Sequence, residues 1–129
     1  MVAAVAGSAS VLAIAPAHAV NWDWGPWYEK YAGYDAGATA YFEEHGDRLK
    51  LCDTSTDGYR AHVRVESNRT SNLVYRFSDT YDNGRCSYID ANDRSYSNLR
   101  ENTWYTIWVG EGTSSVTRNW KPYEIYNDH

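Results

Sequence analysis

Short runs in which polar and apolar residues alternate constrain the fold of this chain more than any other feature. The clearest run is Tyr59–Glu66, where a tyrosine, an alanine and two valines alternate with four polar side chains. Successive side chains of a β-strand point to opposite faces of the sheet, so this period of two predicts a half-buried strand. Comparable runs recur at a spacing of roughly ten residues, which is the pattern of a β-sandwich or a barrel. Of the two, we expect a small antiparallel β-sandwich.

We expect seven strands, and the fold class is therefore all-β. The predicted strands are residues 38–44, 48–52, 59–66, 73–77, 86–89, 103–109 and 116–120. Turn residues separate them, most clearly in Asp53–Gly58 and at Asn83-Gly84, because these residue types favour tight turns. We expect Pro122 to end the last strand, since proline lacks the N–H that a sheet ladder needs. The run 103–109 is rich in aromatic and β-branched residues and predicts a buried strand, with Trp104 and Trp108 in the core.

The first nineteen residues differ in kind from the rest of the chain. They contain no charged Asp, Glu, Lys or Arg and end in Ala17-His18-Ala19, a small-x-small pattern. Such a segment is too short to span a bilayer comfortably and is typical of a cleaved export signal. The alternative is a buried N-terminal helix. We expect a signal peptide at 1–19, an aromatic arm at 20–37, a β-sandwich domain at 38–129, and a secreted protein.

Charge and cysteine content narrow the possible partners and the compartment. The net charge is −5, which argues against nucleic acid and anionic membranes as partners because both select basic surfaces. In an exported protein the two cysteines, Cys52 and Cys86, predict one disulfide. It would close a loop of about 35 residues, a constraint of roughly 3–4 kcal/mol in the chain-entropy model.

The sequence offers no arrangement typical of a catalytic site, and we expect a non-enzymatic protein without cofactor or metal. His45, His62 and His129 lie in a turn, on the polar side of a strand and at the last position, so all three are predicted to be solvated. Glu43 and Glu44 are adjacent on a strand and point to opposite faces, which a glycosidase pair does not allow. A pair of Asp79 with Asp82 is conceivable, but no further motif supports it.

One turn resembles the start of a calcium-binding loop. Asp53, Ser55, Asp57 and Gly58 match positions 1, 3, 5 and 6 of an EF-hand loop, but position 12 is Arg64 instead of glutamate. The segment that follows is a predicted strand and not a helix. A β-turn rich in Asp, Ser and Thr gives the same residues for backbone reasons alone.

Aromatic residues are concentrated before the first regular strand, in the stretch from Asn21 to Gly37. This tract contains Gly25-Pro26 and has no amphipathic period, so we expect it to form neither a strand nor a helix. Tryptophan and tyrosine dominate binding hot spots. The candidate partner-binding residues are Trp22, Trp24, Trp27, Tyr28, Tyr31 and Tyr34. Alternatively, the tract folds back and covers one face of the sandwich, or stacks on carbohydrate.

A resemblance to a family of secreted proteins adds to this interpretation. The segment Ala38–Val65, with its Gly-Asp turn, Cys-Asp strand end and Asp-Gly turn, together with Leu99–Val109, resembles small exported β-proteins of filamentous actinobacteria. One such group is the adaptor subunit of umbrella toxin particles. This resemblance implies a β-domain that joins a lectin-like subunit to a toxin subunit, with an extended N-terminal segment set in the lectin's cleft. The arm of this chain would be that segment.

The function predicted from the sequence is accordingly a secreted, non-enzymatic adaptor that binds other secreted proteins through its arm. One alternative is a protease or glycosidase inhibitor that presents the polar loop Asp90–Asn102. A second is a carbohydrate-binding or cell-wall-binding module. A third is a toxin of βγ-crystallin type, although paired calcium motifs are not visible in the sequence.

Overall fold

Eight β-strands and one 3₁₀ turn make up the secondary structure of the described residues. The computed structural model describes residues 22–29, 37–55, 57–79, 85–113 and 116–129. The strands are β1 (Trp24–Tyr28), β2 (Ala38–Glu43), β3 (Arg48–Asp53), β4 (Arg60–Ser67), β5 (Asn72–Ser78), β6 (Cys86–Ile89), β7 (Thr103–Gly112) and β8 (Thr117–Asn127). The 3₁₀ turn, Ser95–Ser97, lies in the predicted loop 90–102. Across these ranges, no helix has the length and apolar character needed to cross a membrane.

The strands form two antiparallel four-stranded sheets, which confirms the predicted all-β class. The first sheet has the order β1-β2-β3-β6 and the second has the order β5-β4-β7-β8. All pairings are antiparallel. Strands β1 and β6 are the edges of the first sheet, and β5 and β8 are the edges of the second.

The core lies between the two sheets and is built from alternate positions of the strands. In β4, Ala61, Val63 and Val65 are buried, whereas Arg60 is exposed, as the period of two predicts. The remaining core positions are Trp27, Ala38, Ala40, Phe42, Leu49, Leu51, Tyr75, Ile89, Leu99, Tyr105, Ile107, Val109 and Ile125. The hydrophobic effect favours this register strongly, because a shift of one residue would turn the buried side chains of a strand to the outer face of its sheet.

The two cysteines are bonded, as predicted. Cys52 of β3 and Cys86 of β6 are directly opposite each other in the ladder, and their sulfur atoms lie 2.05 Å apart. The bond therefore fastens the edge strand β6 to its neighbour.

The aromatic tract contains a strand, which the sequence analysis did not predict. Residues Trp24–Tyr28 form β1, which pairs with β2 at the edge of the first sheet. The register shifts between Trp24 and Trp27, so Gly25 and Pro26 leave the regular ladder. A Cβ atom on Gly25 would lie 2.8 Å from the carbonyl oxygen of Ala40, and only glycine fits there. The β-sandwich therefore includes part of the segment 20–37 that was predicted to be a separate arm.

Pro122 does not end the last strand, contrary to the prediction. It lies inside β8, opposite Trp108, and the strand continues to Asn127. Because β8 is an edge strand, every second N–H points away from the sheet, and a proline at such a position breaks no ladder.

Several predicted features lie outside the described residues. They are the export signal at 1–19, Tyr31 and Tyr34 of the arm, Asp82, and the Asn83-Gly84 turn.

Candidate functional site

Two of the six candidate binding aromatics are used to build the domain. Trp27 is 8% exposed and stacks on Tyr123 of β8, with ring centroids 5.2 Å apart. Trp24 packs against the core, and its indole N–H donates to Glu44 Oε1 at 2.6 Å. These contacts correspond to the alternative in which the tract folds back onto the domain. Trp27 is therefore buried within the domain, and Trp24 is partly buried.

Tyr28 and Tyr123 close one side of the sandwich. The hydroxyl of Tyr123 accepts a hydrogen bond from the Tyr28 N–H (3.0 Å) and donates one to the Tyr28 carbonyl (2.7 Å). This exchange links edge strand β1 of the first sheet to edge strand β8 of the second. The side chain of Tyr28 remains exposed.

Trp22, the first described residue, lies on the outer face of the first sheet. Its ring centroid is 5.9 Å from that of Tyr41 and 6.4 Å from that of Tyr88. The ammonium of Lys50 lies over the Trp22 ring (5.8 Å) and over the Tyr41 ring (4.8 Å). We call Trp22, Tyr41, Tyr88 and Lys50 the first aromatic face. Tyr88 is its most accessible member, with 56% exposure.

A second group of aromatic side chains covers the outer face of the second sheet. Trp104 and Tyr126 are opposite each other on β7 and β8, and their ring centroids lie 5.2 Å apart. The guanidinium of Arg64 on β4 lies 5.1 Å from the Trp108 ring and 5.3 Å from the Trp120 ring. We call Trp104, Trp108, Trp120, Tyr126 and Arg64 the second aromatic face.

The expectation that Trp104 and Trp108 belong to the core is wrong. Tyr105, Ile107 and Val109 take the inward positions of β7, so the alternate tryptophans point outward. Trp104 is 52% exposed. The sequence of β7 is hydrophobic on both faces, and its pattern alone does not indicate which face the core takes.

Polar contacts hold the second aromatic face in place. Glu66 accepts a hydrogen bond from the indole N–H of Trp108 (3.0 Å) and forms an ion pair with Arg64 (2.9 Å). Trp120 lies against the backbone of Gly110, where an added Cβ would be 2.7 Å from its ring. The rings are therefore fixed before any partner binds, which lowers the ordering cost of association.

A groove of about 540 Å³ adjoins this face at Trp104. Its other walls are polar and are formed by Asn68, Arg69, Arg100, Glu101, Asn102 and Thr103. Asn68 is oriented by the hydroxyl of Thr106, which donates to its side-chain oxygen at 2.6 Å. An exposed indole beside amide, guanidinium and carboxylate groups suits a ligand that is both apolar and polar.

The loop Asp90–Asn102 is ordered by hydrogen bonds, although no disulfide lies within it. The buried carboxylate of Asp47 accepts the Leu99 N–H at 2.7 Å and the side-chain amide of Asn127 at 3.0 Å. Burial raises the pKa of Asp47 to about 6, and these two hydrogen bonds oppose the rise. The hydroxyl of Ser97 donates to the carbonyl of Asp90 at 2.6 Å.

Two buried glutamates meet at the other end of the sandwich, and no sequence signal pointed to them. Glu29 is 2% exposed and accepts the Gly37 N–H at 2.8 Å, and the buried Glu111 lies beside it. Glu111 is held by Arg118 (3.2 Å) and by the amide of Asn119 (2.8 Å). Burial raises the pKa of Glu29 to about 7; the Gly37 N–H opposes this rise, and the charge of Glu111 adds to it.

Asp79, Asp53 and Asp57, three of the carboxylates considered for catalysis or calcium binding, accept hydrogen bonds from backbone N–H groups. Asp79 is fully buried and accepts hydrogen bonds from the Asp53 N–H (3.0 Å) and the Ser87 hydroxyl (2.7 Å). Asp53 accepts the Ser55 N–H, and Asp57 accepts the Tyr59 N–H, each two residues further along. These are Asx turns, which account for the Asp-rich turn by local backbone geometry.

The three histidines differ in environment. His62 is half-buried, contrary to the prediction, and its Nδ1 lies 2.6 Å from the Ser78 hydroxyl. Burial lowers the pKa of His62. His45 and His129 are exposed, but their ring centroids lie only 5.1 Å apart. One nitrogen of His129 and one oxygen each of Glu44 and Asp128 lie within 4.8 Å of one another.

No known protein family matches this chain, and no curated protein matches it. Function is therefore inferred from the side chains of this chain, above all from its two aromatic faces.

Proposed function

We propose that this protein is an exported, non-enzymatic adaptor that binds two protein partners, one on each aromatic face. The observation that carries the proposal is the position of these faces, which lie on the outer sides of the two opposite sheets. A protein that joins two others needs two separate contact surfaces. The β-sandwich has one such surface on each of its two opposite outer sides. The disulfide between β3 and β6 stabilises the first of the two sheets.

The residue types on both faces suit protein recognition. Tryptophan, tyrosine and arginine are the residues most enriched at binding hot spots, and each such anchor contributes on the order of 2 kcal/mol or more. Trp104 and Tyr88 are about half exposed, so a partner could bury about half of the surface of each side chain. Two such anchors on each face would add enough binding free energy to support a specific complex with a partner.

Each face has a cation at its centre, which supports the same interpretation. Lys50 lies over Trp22 and Tyr41, and Arg64 lies over Trp108 and Trp120. Cation–π contacts of this kind contribute about 0.5–1 kcal/mol at exposed sites and more when a partner excludes water. Binding would therefore strengthen contacts that already exist in the free protein.

The proposed role in a toxin complex follows the resemblance to umbrella toxin adaptors. In that case one partner is a lectin-like subunit and the other is a toxin subunit. Trp22 belongs both to the predicted arm and to the first aromatic face, so this face would take the partner that the arm was predicted to bind. The Cys52–Cys86 bond supports export, since disulfides persist in oxidising compartments.

A second candidate function is carbohydrate binding, which the groove beside Trp104 favours. Its walls offer two asparagine amides, two guanidinium groups and one carboxylate next to a half-exposed indole. These groups could donate and accept hydrogen bonds to sugar hydroxyls while the ring covers an apolar sugar face.

The test uses one variant on each face and a matched control. Trp104→Ala alters the second face, Tyr88→Ala alters the first, and Tyr96→Ala, at a site that is 46% exposed and outside both faces, is the control. Proteins captured from culture supernatant by the tagged chain are identified by mass spectrometry, and their affinities are then measured singly. An adaptor should lose about thirtyfold in affinity, equivalent to about 2 kcal/mol, for one partner with each face variant.

Three other outcomes would contradict the adaptor. Equal binding of all partners by all variants would exclude both faces. Loss of the same single partner with either face variant would show one interface instead of two. Retention on polysaccharide that Trp104→Ala abolishes would favour the carbohydrate module.

A further inference from the structure

A cluster of metal-ligating side chains lies where the end of β8 meets the turn between β2 and β3. It comprises Glu44 and the adjacent residues Asp128 and His129, which follow Glu44 by 84 and 85 positions in the sequence. The turn brings Glu44 there, and the last residues of the chain follow directly after β8. We infer that Glu44, Asp128 and His129 form a binding site for a divalent cation of the zinc type. This site is independent of the proposed adaptor function.

The spacing of the donor atoms fits a single ion. Ligands of tetrahedral zinc lie about 2.0–2.2 Å from the metal, which places them about 3.4 Å from one another. His129 Nε2 and Asp128 Oδ1 are 3.4 Å apart, and all three donor atoms lie within 4.8 Å. The side chains of Asp128 and His129 can move closer to Glu44, because about half of the surface of each is exposed to solvent.

Glu44, the third proposed ligand, is buried and held in place, which distinguishes this cluster from an arrangement of freely moving surface side chains. Glu44 is 9% exposed, and its Oε1 is fixed by the indole N–H of Trp24 at 2.6 Å. Metal-ligating carboxylates are commonly oriented by such a hydrogen bond. The ring of His129 lies beside that of His45, with ring centroids 5.1 Å apart.

The carboxylates that surround Glu44 favour the binding of a cation. Asp128 and Asp23 face it, and the Glu44 N–H donates to Asp23 Oδ2 at 3.0 Å. Among the described residues, the ion pairs include no Lys or Arg partner for any of these three carboxylates. A bound divalent ion would neutralise this charge.

The ligand set selects the kind of ion. Imidazole nitrogen with carboxylate oxygen suits zinc and its neighbours among the transition metals, whereas calcium and magnesium prefer oxygen ligands alone. Three protein ligands leave one position of a tetrahedral ion for water.

The test measures zinc binding by the full chain without an affinity tag. Isothermal titration calorimetry with zinc chloride at pH 7.5 should show one saturable site, and calcium chloride should give none. Glu44→Gln and His129→Ala should each weaken zinc binding at least tenfold. Glu124→Gln, an exposed glutamate on β8 outside the cluster, is the charge-matched control and should bind as the unaltered chain does.

Two further measurements keep the result interpretable. Glu44→Gln preserves an oxygen for the Trp24 indole, and its circular dichroism spectrum should match that of the unaltered chain. The melting temperature of the unaltered chain should rise with zinc concentration, because the ion would tie the end of β8 to the β2–β3 turn. Absence of saturable binding, or binding that neither variant weakens, would overturn the proposal.

Discussion

Replacement of the buried Glu29 by glutamine should stabilise the protein at neutral pH and remove part of its pH dependence. Glu29 is 2% exposed, and its pKa is raised to about 7 from an ordinary value of 4.5. A carboxyl with a higher pKa in the folded state binds more protons when folded. Its contribution to the free energy of unfolding is therefore complete below pH 4.5 and is lost as the pH rises to about 7.

The magnitude follows from the difference between the two pKa values. Each pKa unit corresponds to about 1.4 kcal/mol, so ionisation of Glu29 costs on the order of 3 kcal/mol at pH 8. Glutamine avoids this cost and keeps the local contacts. Its oxygen can accept the Gly37 N–H as Glu29 does at 2.8 Å, and its amide can donate to Glu111 where the protonated carboxyl would.

The assay is thermal unfolding of the unaltered chain and of Glu29→Gln between pH 4 and pH 8. The two should melt together near pH 4, and the variant should melt higher at pH 8 by about 10 °C, at about 4 °C per kcal/mol for a domain of this size. Glu124→Gln, exposed on β8, is the matched control and should leave the pH profile unchanged. A Glu29→Gln variant that melts lower than the unaltered chain at pH 8 would refute the reasoning.

Two further predictions concern the Cys52–Cys86 disulfide and the first strand. The disulfide joins Cys52 and Cys86, which are 34 residues apart in the sequence. Its reduction and alkylation should lower the free energy of unfolding by about 4 kcal/mol. An unchanged denaturant midpoint would contradict this. Deletion of the chain through Gly33 removes β1 and the buried Trp27, so the melting temperature should fall by at least the equivalent of about 3 kcal/mol. A truncated protein that melts like the full chain would show that β1 adds nothing to the domain.

Local patterns determined most of the strands. The period of two in β4 reports directly which side chains face the core, because the alternation of a strand is a property of its own backbone. The same pattern identified seven of the eight strands, six of them to within three residues at each end, whereas β8 continues to Asn127, seven residues beyond its predicted end. The disulfide could also be predicted from the sequence, since two cysteines allow only one pairing.

The aromatic tract was misread because its strand lacks a local signal. β1 has no alternation, and Gly25 and Pro26 interrupt it, yet it pairs with β2. Pro122 was misread for a related reason, since its tolerance in β8 depends on β8 being an edge strand. In both cases the deciding fact is the neighbour of the strand in the sheet, which a local pattern does not contain.

Tertiary structure alone decided which aromatic residues are available for binding. The sequence marked Trp27 as a binding residue and Trp108 as a core residue, and the sheets reverse these positions. Both belong to hydrophobic runs, and only packing of one sheet on the other selects the face that is buried.

The polar clusters also depend on contacts between distant parts of the chain. Glu29 meets Glu111 across 82 positions of sequence, and Glu44 meets His129 across 85. Each residue by itself looks like a surface group. The sequence by itself thus determined most of the strands and the disulfide, which arise from local backbone geometry and from a unique pairing. Burial and pKa were decided only when the two sheets packed together, because these properties depend on neighbours that folding supplies.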